Sequence, residues 1–304
     1  MKPFFKIAKK SLGFLFLFIS VITLITYSRD VSAGVVSGIT LAVRSIIPSL
    51  FPFLILSDVF INQLGSDTGV FGRIFSRLLG MSPMASGAFL CGSFSGFPVG
   101  VKCASELYSH GNIKKEELER LIGFVNNPSP AFVIAAVGTM RGSAKEGVIL
   151  FISVILAAII TAFLFSGRSE KTTACEVKYA KAHFELVTSI KNAAYTSIGI
   201  SSYIIFFSAL LGIIDAIFGS YEITLFLSLF FEVGNAASLL AKSSLLPHVS
   251  LSLTAFALGF SGLSVFMQAK SLLPEDISMK KYIIMKLIQG TISALIALLI
   301  INLT

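Results

Sequence analysis

The sequence predicts an all-α, polytopic membrane protein built from inverted-topology repeats, re-entrant hairpins and broken helices. Of its 304 residues, 55% are hydrophobic and only 13% are charged, whereas a soluble domain carries about 25% charged residues. Apolar runs of about twenty residues recur, which is the length that an α-helix needs to cross a bilayer. Other runs contain Gly, Pro, Asn or Ser, and such breaks survive at membrane depth only where protein or water satisfies the free backbone groups.

The net charge of +8 reflects membrane topology and does not indicate nucleic-acid binding. Lys and Arg cluster in short loops between apolar runs, and the positive-inside rule places such loops in the cytoplasm. We therefore expect an integral membrane protein with a cytoplasmic N-terminus. The expected partners are the lipid bilayer and a small-molecule solute, with no nucleic acid, and the sequence leaves a homo-oligomer open.

Residues for enzyme or metal chemistry form no recognisable pattern. The three cysteines contain no C-x-x-C pair and the three histidines lie far apart, which predicts neither a disulfide framework nor a metal site. The H-E-x-x-H and Walker A motifs are absent. Residues 259–262 read G-F-S-G, but no His follows them to serve as a base. We expect no enzyme, no metal and no cofactor, and only Na⁺ or H⁺ remains open as a coupling ion.

Residues 1–30 predict an N-terminal transmembrane helix. A lysine-rich start precedes an apolar run over residues 11–27. A cleaved secretory signal is the alternative, because V-S-A at residues 31–33 resembles a small-residue cleavage site. The apolar run is longer than a usual signal core and many further spans follow it, so we expect a retained helix.

Residues 31–166 predict the first repeat. A lead-in segment kinked by Pro48 and Pro52 is followed by an amphipathic stretch at residues 71–79. Broken elements then follow at 85–108 and 121–138, and a clean span follows at 147–166. The first broken element is rich in glycine and contains Pro98, which favours a re-entrant hairpin over a single crossing.

Residues 184–304 predict a second repeat with the same order of parts. A lead-in with a span at residues 184–218 precedes broken elements at 223–241 and 251–269, and a clean span at 282–301 ends the repeat. With one hairpin in each half, each half crosses the membrane three times. An odd number of crossings inverts the second repeat relative to the first.

Small and polar residues in the first broken element predict a binding site. A half-helix that starts in such a break presents free N–H groups and a partial positive charge, which suit a carboxylate or a phosphate. Lys102 would add a full positive charge. The alternatives are a packing stripe of glycines and a lysine that snorkels to the interface. Besides Lys102, the predicted residues of this element are Ser93, Ser95, Gly96 and Gly100.

Asn126 and Asn127 precede Pro128 in the second broken element. Proline removes a backbone donor and leaves a carbonyl free, and asparagine amides offer both donors and acceptors. These groups suit a heteroaromatic ligand or a cation. A plain helix-capping turn at the membrane edge is the alternative.

Glu232 lies inside an apolar run of the second repeat. A carboxylate at membrane depth is costly and marks a functional site by default. With Asn235 and Ser238 nearby, Glu232 is suited to coordinate Na⁺, to relay a proton, or to pair with a lysine such as Lys102. A solvated hairpin tip is the alternative.

Two signatures carry a family resemblance: S-G-F-P-V-G-V-K at residues 95–102, and F-V-N-N-P-S-P-A-F-V-I-A-A-V-G at residues 124–138. They resemble the YlbJ-type sporulation integral membrane proteins. Those proteins belong with the nucleoside recognition (Gate) domain family, which is related to spore maturation proteins and concentrative nucleoside transporters. The resemblance covers about residues 46–304, and E-V-G-N at 232–235 extends it into the second half.

The resemblance implies a protein that acts late in sporulation, in the cell membrane or a forespore membrane. It implies paired hairpins, unwound helices at mid-membrane, and movement of dipicolinic acid from the mother cell toward the forespore. Dipicolinate is a planar pyridine dianion, and the helix N-termini, serines and Lys102 of the first break are compatible with it.

The leading hypothesis is therefore a transporter that moves a small polar or anionic heteroaromatic solute by alternating access. The alternatives are a nucleoside transporter with Na⁺ at Glu232, and a non-transporting scaffold or signalling component of spore assembly. Transport requires that residues 91–137 and 223–269 meet near mid-membrane. The predicted substrate-binding residues are Ser93, Ser95, Gly96, Gly100, Lys102, Asn126, Asn127, Glu232, Asn235 and Ser261.

Overall fold

The computed structural model of the protein describes residues 17–48, 81–166 and 185–303, together with residues 14, 50–52, 54–56, 72, 74, 76, 77 and 79. Within these residues the chain is helical and contains no β-strand. Four of the described helices are long and apolar enough to cross a membrane, or five if a bent pair near the N-terminus forms one span. The predicted all-α, polytopic class is confirmed. Of the predicted amphipathic stretch at 71–79, residues 71, 73, 75 and 78 lie outside the described residues.

The helices follow one another in three groups. The N-terminal group contains α1 (Leu17–Thr26) and α2 (Ser28–Leu41). The middle group contains α3 (Pro83–Ser95), α4 (Val99–Ser109), α5 (Lys115–Val125), α6 (Ala131–Met140) and α7 (Ala144–Leu164). The C-terminal group contains α8 (Leu186–Phe218), α9 (Tyr221–Phe231), α10 (Val233–Lys242), α11 (Pro247–Phe260), α12 (Gly262–Ser271) and α13 (Lys280–Leu303).

The N-terminal helices α1 and α2 meet at an angle of 87°. The predicted helix over residues 1–30 is therefore divided, because its described residues form α1 and the first turn of α2. Glycines on α2 lie directly against α8. A Cβ on Gly34 would stand 2.6 Å from the carbonyl oxygen of Ser208, and one on Gly38 would also collide with the α8 backbone. These small residues let the lead-in helices of the two halves pack backbone to backbone.

The helices α3 and α4 fold back on each other as a hairpin with its tip at residues 96–98. Gly92 of α3 and Gly100 of α4 lie side by side, and a Cβ on either would collide with the carbonyl oxygen of Val125. These two glycines therefore allow close packing, which is the alternative that the sequence left open. The hairpin itself occurs where the first broken element is predicted.

The helices α9 and α10 form the corresponding hairpin of the second half. They meet at Glu232, and the hydroxyl of Tyr221 donates a hydrogen bond of 2.7 Å to the carbonyl oxygen of Leu239 across the hairpin. Both hairpins stand directly before a broken span. The order of elements is thus the same in the two halves.

Two spans are interrupted in mid-helix. In the first interrupted span, α5 ends at Val125 and residues 126–129 are not helical. The helix then resumes as α6, in a π-helical form. Pro128 and Pro130 lack the N–H groups that would continue α5, which explains this break. The second break separates α11 from α12 at Ser261 and Gly262, whose φ angles of 76° and 78° lie in the left-handed region.

The two halves pack against each other through their uninterrupted spans. The uninterrupted spans α7 and α13 pack against each other. In addition, α13 packs against α5 and α7 packs against α11, so each uninterrupted span contacts the broken span of the other half. This exchange brings the breaks of both halves into one region.

Polar contacts also join the loop before each uninterrupted span to the broken span of the other half. In the loop before α7, Arg141 donates hydrogen bonds to the hydroxyls of Ser250 (3.0 Å) and Thr254 (3.2 Å) in the first half of α11. In the loop before α13, Asp276 forms a salt bridge of 3.0 Å with Lys115, the first residue of α5. The loop that precedes each uninterrupted span is therefore tied to the start of the opposite broken span.

Candidate functional site

Two polar centres lie where the breaks meet. The first, the lysine network, consists of Asn126, Asn127, Tyr282, Lys286 and Gln289, all of which are buried. The second, the glutamate cavity, is a mostly apolar cavity that Glu232 helps to line. Phe97, at the tip of the first hairpin, contacts both centres.

The lysine network joins the break after α5 to the first turns of α13. The ammonium of Lys286 donates hydrogen bonds to the carbonyl oxygen of Asn126 (2.5 Å) and to Oε1 of Gln289 (2.9 Å). Nδ2 of Asn126 donates to the hydroxyl of Tyr282 (2.9 Å), and Nε2 of Gln289 donates to Oδ1 of Asn127 (2.8 Å). Both asparagines are fully buried, and Nδ2 of Asn127 also donates a hydrogen bond of 2.8 Å to the Phe124 carbonyl oxygen in the last turn of α5, so helix capping is one part of this arrangement.

Lys286 is a buried cation with neutral hydrogen-bond partners. Within the described residues it forms no ion pair with a carboxylate. The carbonyl end of α5 carries a partial negative charge that stabilises a nearby ammonium. The Phe97 ring centre lies 6.0 Å from Nζ, within the range of a cation–π interaction. A buried charge without a counter-ion is costly, and a lysine inside a span marks a functional site by default.

Lys286, Tyr282, Gln289 and Phe97 were not predicted as site residues. The predicted clean span at residues 282–301 is confirmed as the uninterrupted helix α13, but its first turns also carry buried polar side chains that the prediction did not single out. The signal was present, because a lysine inside an apolar run supports the same inference as Glu232. Phe97 gave no such signal, since it is one of 28 phenylalanines.

Glu232 is the turning point of the second hairpin. Its backbone is extended (φ −150°, ψ 119°) between α9 and α10. Its carboxylate accepts hydrogen bonds from the backbone N–H (2.6 Å) and from Nδ2 (3.0 Å) of Asn235, and thereby caps α10. Only 2% of Glu232 is exposed, so the alternative of a solvated hairpin tip is wrong.

The glutamate cavity has an empty volume of about 360 Å³. Both halves build its wall, so residues 91–137 and 223–269 meet as predicted. Most of the wall is apolar, and its polar groups come from Ser129, Glu232 and Gln268. Gln268 is 4% exposed, and its Oε1 has no hydrogen-bond partner among the described residues. The described lining residues are Ile46, Leu50, Phe97, Ser129, Phe132, Ile200, Ile204, Glu232, Val233, Val265 and Gln268.

Several other predicted residues lie near the breaks but are not among the described residues that line this cavity. Ser93 and Ser95 are buried in α3, and the Ser93 hydroxyl has no hydrogen-bond partner among the described residues. Gly96 packs against Ser129, which does line the cavity. The Ser261 hydroxyl donates a hydrogen bond of 3.3 Å to a backbone carbonyl of α11. These residues lie near the breaks, and neighbouring residues line the cavity.

Lys102 lies apart from the glutamate cavity. It lines a separate cavity with an empty volume of about 350 Å³, together with Asn192 and Thr196 of α8. The structure therefore does not bring Lys102 to Glu232. The reason is helical geometry, because Lys102 follows the hairpin tip on a face of α4 that points toward α8.

Comparison with known proteins agrees with this membrane fold. The chain is 27% identical to the sporulation integral membrane protein YlbJ of Bacillus subtilis (strain 168), over 94% of this chain and 81% of that protein. No family model matches the chain, so the wider nucleoside recognition (Gate) grouping stays a prediction. No solved structure matches it. The predicted resemblance is confirmed at this level, because the chain is similar to a YlbJ-type sporulation integral membrane protein over most of its length.

Proposed function

We propose that the protein transports a small polar or anionic heteroaromatic solute across a membrane of the sporulating cell, with dipicolinic acid as the leading candidate. The observation that carries this proposal is the glutamate cavity, whose wall comes from both halves of the chain. Interrupted helices are stable at membrane depth where they line a cavity, and paired interruptions mark the solute site of many transporters. The curated name of the relative, a sporulation integral membrane protein, supports the cellular setting.

The lining of the cavity suits a single aromatic ring with polar substituents. Ligand sites are mostly apolar with a few placed polar groups, and this wall has the same character. Phe97 and Phe132 offer apolar surface to a planar ring, while Glu232, Gln268 and Ser129 offer hydrogen bonds. A planar pyridine with two carboxyl groups meets these requirements.

An anionic solute also needs a positive charge, and Lys286 supplies one. Phe97 lines the cavity and lies between it and the Lys286 ammonium, 6.0 Å from its ring centre. A change of the Phe97 rotamer would connect the two centres. A solute carboxylate would then replace the neutral acceptors of Asn126 and Gln289, and a hydrogen bond between two charged groups is stronger than one to a neutral acceptor.

Alternating access follows from the arrangement of the halves. Each half contributes one hairpin and one broken span to the centre. Movement of one hairpin would open the cavity to one side of the membrane, and movement of the other would open it to the opposite side. In this proposal the N-terminus is cytoplasmic and the protein resides in the cell membrane or a forespore membrane. A solute moving toward the forespore would thus cross one membrane through this cavity.

The dipicolinate content of spores tests the proposal in a strain whose own relative has been deleted. We expect Glu232→Ala and Asn126→Ala to lower the content strongly, because they remove polar groups of the two centres. Glu275→Ala is the matched control, since Glu275 is an exposed carboxylate of the same half. Wild-type dipicolinate content in both site variants would refute the proposed site.

A ligand panel separates the remaining functions. A molecule that binds only the native state raises the melting temperature by mass action. We expect dipicolinate to raise the melting temperature of the purified protein, and nucleosides to do so only if it is a nucleoside transporter. Repeating the nucleoside arm with and without Na⁺ tests a sodium site at Glu232. A protein that responds to neither class of ligand fits a non-transporting scaffold.

A further inference from the structure

We propose that Glu232 is the proton-coupling group of this transporter and that protons reach it through a polar cleft between α2, α8, α9 and α10. The inference rests on the proposed function and adds to it the identity of the coupling ion and its route. Glu232 lies between a cleft lined by polar side chains and the mostly apolar glutamate cavity.

The first space is an open cleft with an empty volume of about 910 Å³. Its wall is rich in polar and charged side chains, in contrast to the mostly apolar wall of the glutamate cavity. Such a cleft admits water, because hydroxyl, amide and carboxylate groups can hydrogen-bond to it. The lining residues with polar side chains are Asp30, Ser37, Ser208, Asp215, Tyr221, Thr224, Asn235, Ser238 and Lys242.

Glu232 is one hydrogen bond away from this cleft. Asn235 lines the cleft, and its Nδ2 donates both to Oε2 of Glu232 (3.0 Å) and to the hydroxyl of Ser208 (2.7 Å), which also lines the cleft. On its other side, Glu232 lines the mostly apolar glutamate cavity. The carboxylate therefore forms part of the partition between water and the cavity, which is the position that a proton-transfer group requires.

The polar groups inside the cavity also favour a proton at Glu232. Oε1 of Gln268 is a buried acceptor without a partner among the described residues, and it lines the same cavity as the carboxylate. A carboxylate only accepts hydrogen bonds and cannot satisfy this oxygen, whereas a protonated Glu232 has a hydroxyl that can donate a hydrogen bond to an acceptor in the cavity.

The donor set around Glu232 does not suit a metal ion. Oε2 already accepts two N–H groups from Asn235, and the polar groups that share the cavity wall with Glu232 are only Ser129 and Gln268 among the described residues. Hard cations bind through several oxygen ligands. A proton needs only one oxygen, and Glu232 can supply it.

The surrounding charges are consistent with a single titrating group at the partition. On the cleft side, the titratable groups of the neighbouring helices are Asp30 of α2, Asp215 of α8, Tyr221 of α9 and Lys242 of α10. Asp215 accepts a hydrogen bond of 2.8 Å from the Thr224 hydroxyl. Among the described cavity-lining residues, Glu232 alone is titratable, and Lys286 lies beyond Phe97. Protonation of Glu232 thus changes the charge of the cavity wall from negative to neutral.

The coupling step is a proton transfer. A hydronium ion in the cleft gives its proton to an oxygen of Glu232, which becomes a neutral carboxyl group, and leaves a water molecule behind. The neutral wall then accepts an anionic solute that the carboxylate would repel. When the site opens to the other side, the solute leaves and the proton returns to water, so one proton accompanies each solute.

Difference infrared spectroscopy of the purified protein tests the protonation without any solute. On acidification from about pH 8 to about pH 4, across the ordinary range of carboxyl groups, we expect a carbonyl band of a buried carboxyl group that Glu232→Gln removes. Glutamine keeps an oxygen that can cap α10, so this variant should fold. The matched control Glu222→Gln, which changes an exposed carboxylate, should keep the band. Identical spectra for wild type and Glu232→Gln would overturn the proposal.

A labelling experiment covers the case in which Glu232→Gln fails to fold. The apolar reagent dicyclohexylcarbodiimide reacts with protonated carboxyl groups, and mass spectrometry identifies the modified residue in wild-type protein. We expect modification of Glu232 that increases on acidification. Unmodified Glu232 throughout the same pH range would contradict the assignment.

The route is tested by filling the cleft. Ser238→Cys places a thiol on the cleft wall, and a bulky thiol reagent then occupies the space that water would use. We expect slower proton uptake by Glu232 after acidification, with the unreacted Ser238→Cys protein as the matched control. Unchanged uptake in the reacted protein would rule out this cleft as the route.

Transport in proteoliposomes separates this inference from the function on which it rests. With dipicolinate as the solute and a pH dye inside the vesicles, we expect proton movement with the solute in wild type, and none in Glu232→Gln. If wild type does not move dipicolinate, the proposed function fails while the infrared result can still stand. If wild type moves dipicolinate without protons, only the coupling inference fails.

Discussion

Lys286→Met separates the role of the lysine in solute binding from its role as a structural contact of α5. Methionine is unbranched and apolar, so it fills the space of the lysine stem and removes the charge. The substitution deletes two hydrogen bonds, to the Asn126 carbonyl and to Gln289. Hydrogen bonds from a charged group contribute about 1.5–3 kcal/mol each, so their loss costs about 3–6 kcal/mol.

Two effects oppose that loss. The penalty for burying an unpaired ammonium, which amounts to several kcal/mol per ion, disappears. A buried methionine side chain also contributes about 1.5–3 kcal/mol through apolar burial. Because these contributions are similar in size, we expect the free energy of unfolding to change by less than about 2 kcal/mol in either direction.

Binding should respond quite differently. If a solute carboxylate bonds to the ammonium, the loss of about 1.5–3 kcal/mol weakens dipicolinate binding about 10-fold to 100-fold. The assay is the melting temperature of purified protein with and without dipicolinate, and Lys280→Met on the exposed face of the same helix is the control. A Lys286→Met protein that dipicolinate stabilises as strongly as wild type would refute the binding role and leave the lysine as a structural contact.

Three further predictions concern the hairpins and the loops. Phe97→Leu should weaken dipicolinate binding with a smaller loss of stability than Phe97→Ala, which would cost about 3–5 kcal/mol. Gly92→Ala should lower the melting temperature strongly because its Cβ would strike a carbonyl of α5, whereas Gly199→Ala, with no neighbour within 4 Å, should be neutral or stabilise by up to about 1 kcal/mol. The Lys115 ammonium holds the pKa of the exposed Asp276 carboxyl below its ordinary value, so this pair adds stability above about pH 4 that is lost on acidification. Asp276→Asn should remove that acid dependence with only a small change in melting temperature at neutral pH, as is usual for exposed ion pairs.

The breaks of the fold could be predicted because they are local properties of the chain. Pro128 and Pro130 lack backbone donors wherever they stand, and residues 92–100 combine three glycines with Pro98 in an apolar stretch. Glu232 was predicted for a similar reason, since a carboxylate in an apolar run needs an explanation without reference to any other residue. Lys286 met the same criterion in an otherwise apolar span.

The partners of these residues could not be predicted, because they depend on packing between distant parts of the chain. The Asn126 carbonyl is paired with Lys286, which lies 160 residues later, and no spacing rule connects the two. The direction of Lys102 depends on how the first hairpin rotates against α8, which decides whether the ammonium faces Glu232 or Asn192. The role of Gln268 depends on the left-handed turn at Ser261, because this turn sets the direction of α12. Tertiary contacts therefore select which polar residues of a broken helix face the cavity.

A double substitution tests whether Lys286 and Glu232 act on one bound solute. Both side chains belong to the second half, Lys286 on α13 and Glu232 between α9 and α10, and they form no ion pair with each other among the described contacts. Effects of separate sites on stability add to within about 0.5 kcal/mol, so the melting-temperature shifts of Lys286→Met and Glu232→Gln should add in the double variant. Their effects on dipicolinate binding should not add. Once the solute has lost its contact with one residue, removing the other residue should change its affinity by a different amount than in the wild type. Additive effects on binding as well as on stability would mean that the two charges serve different ligands.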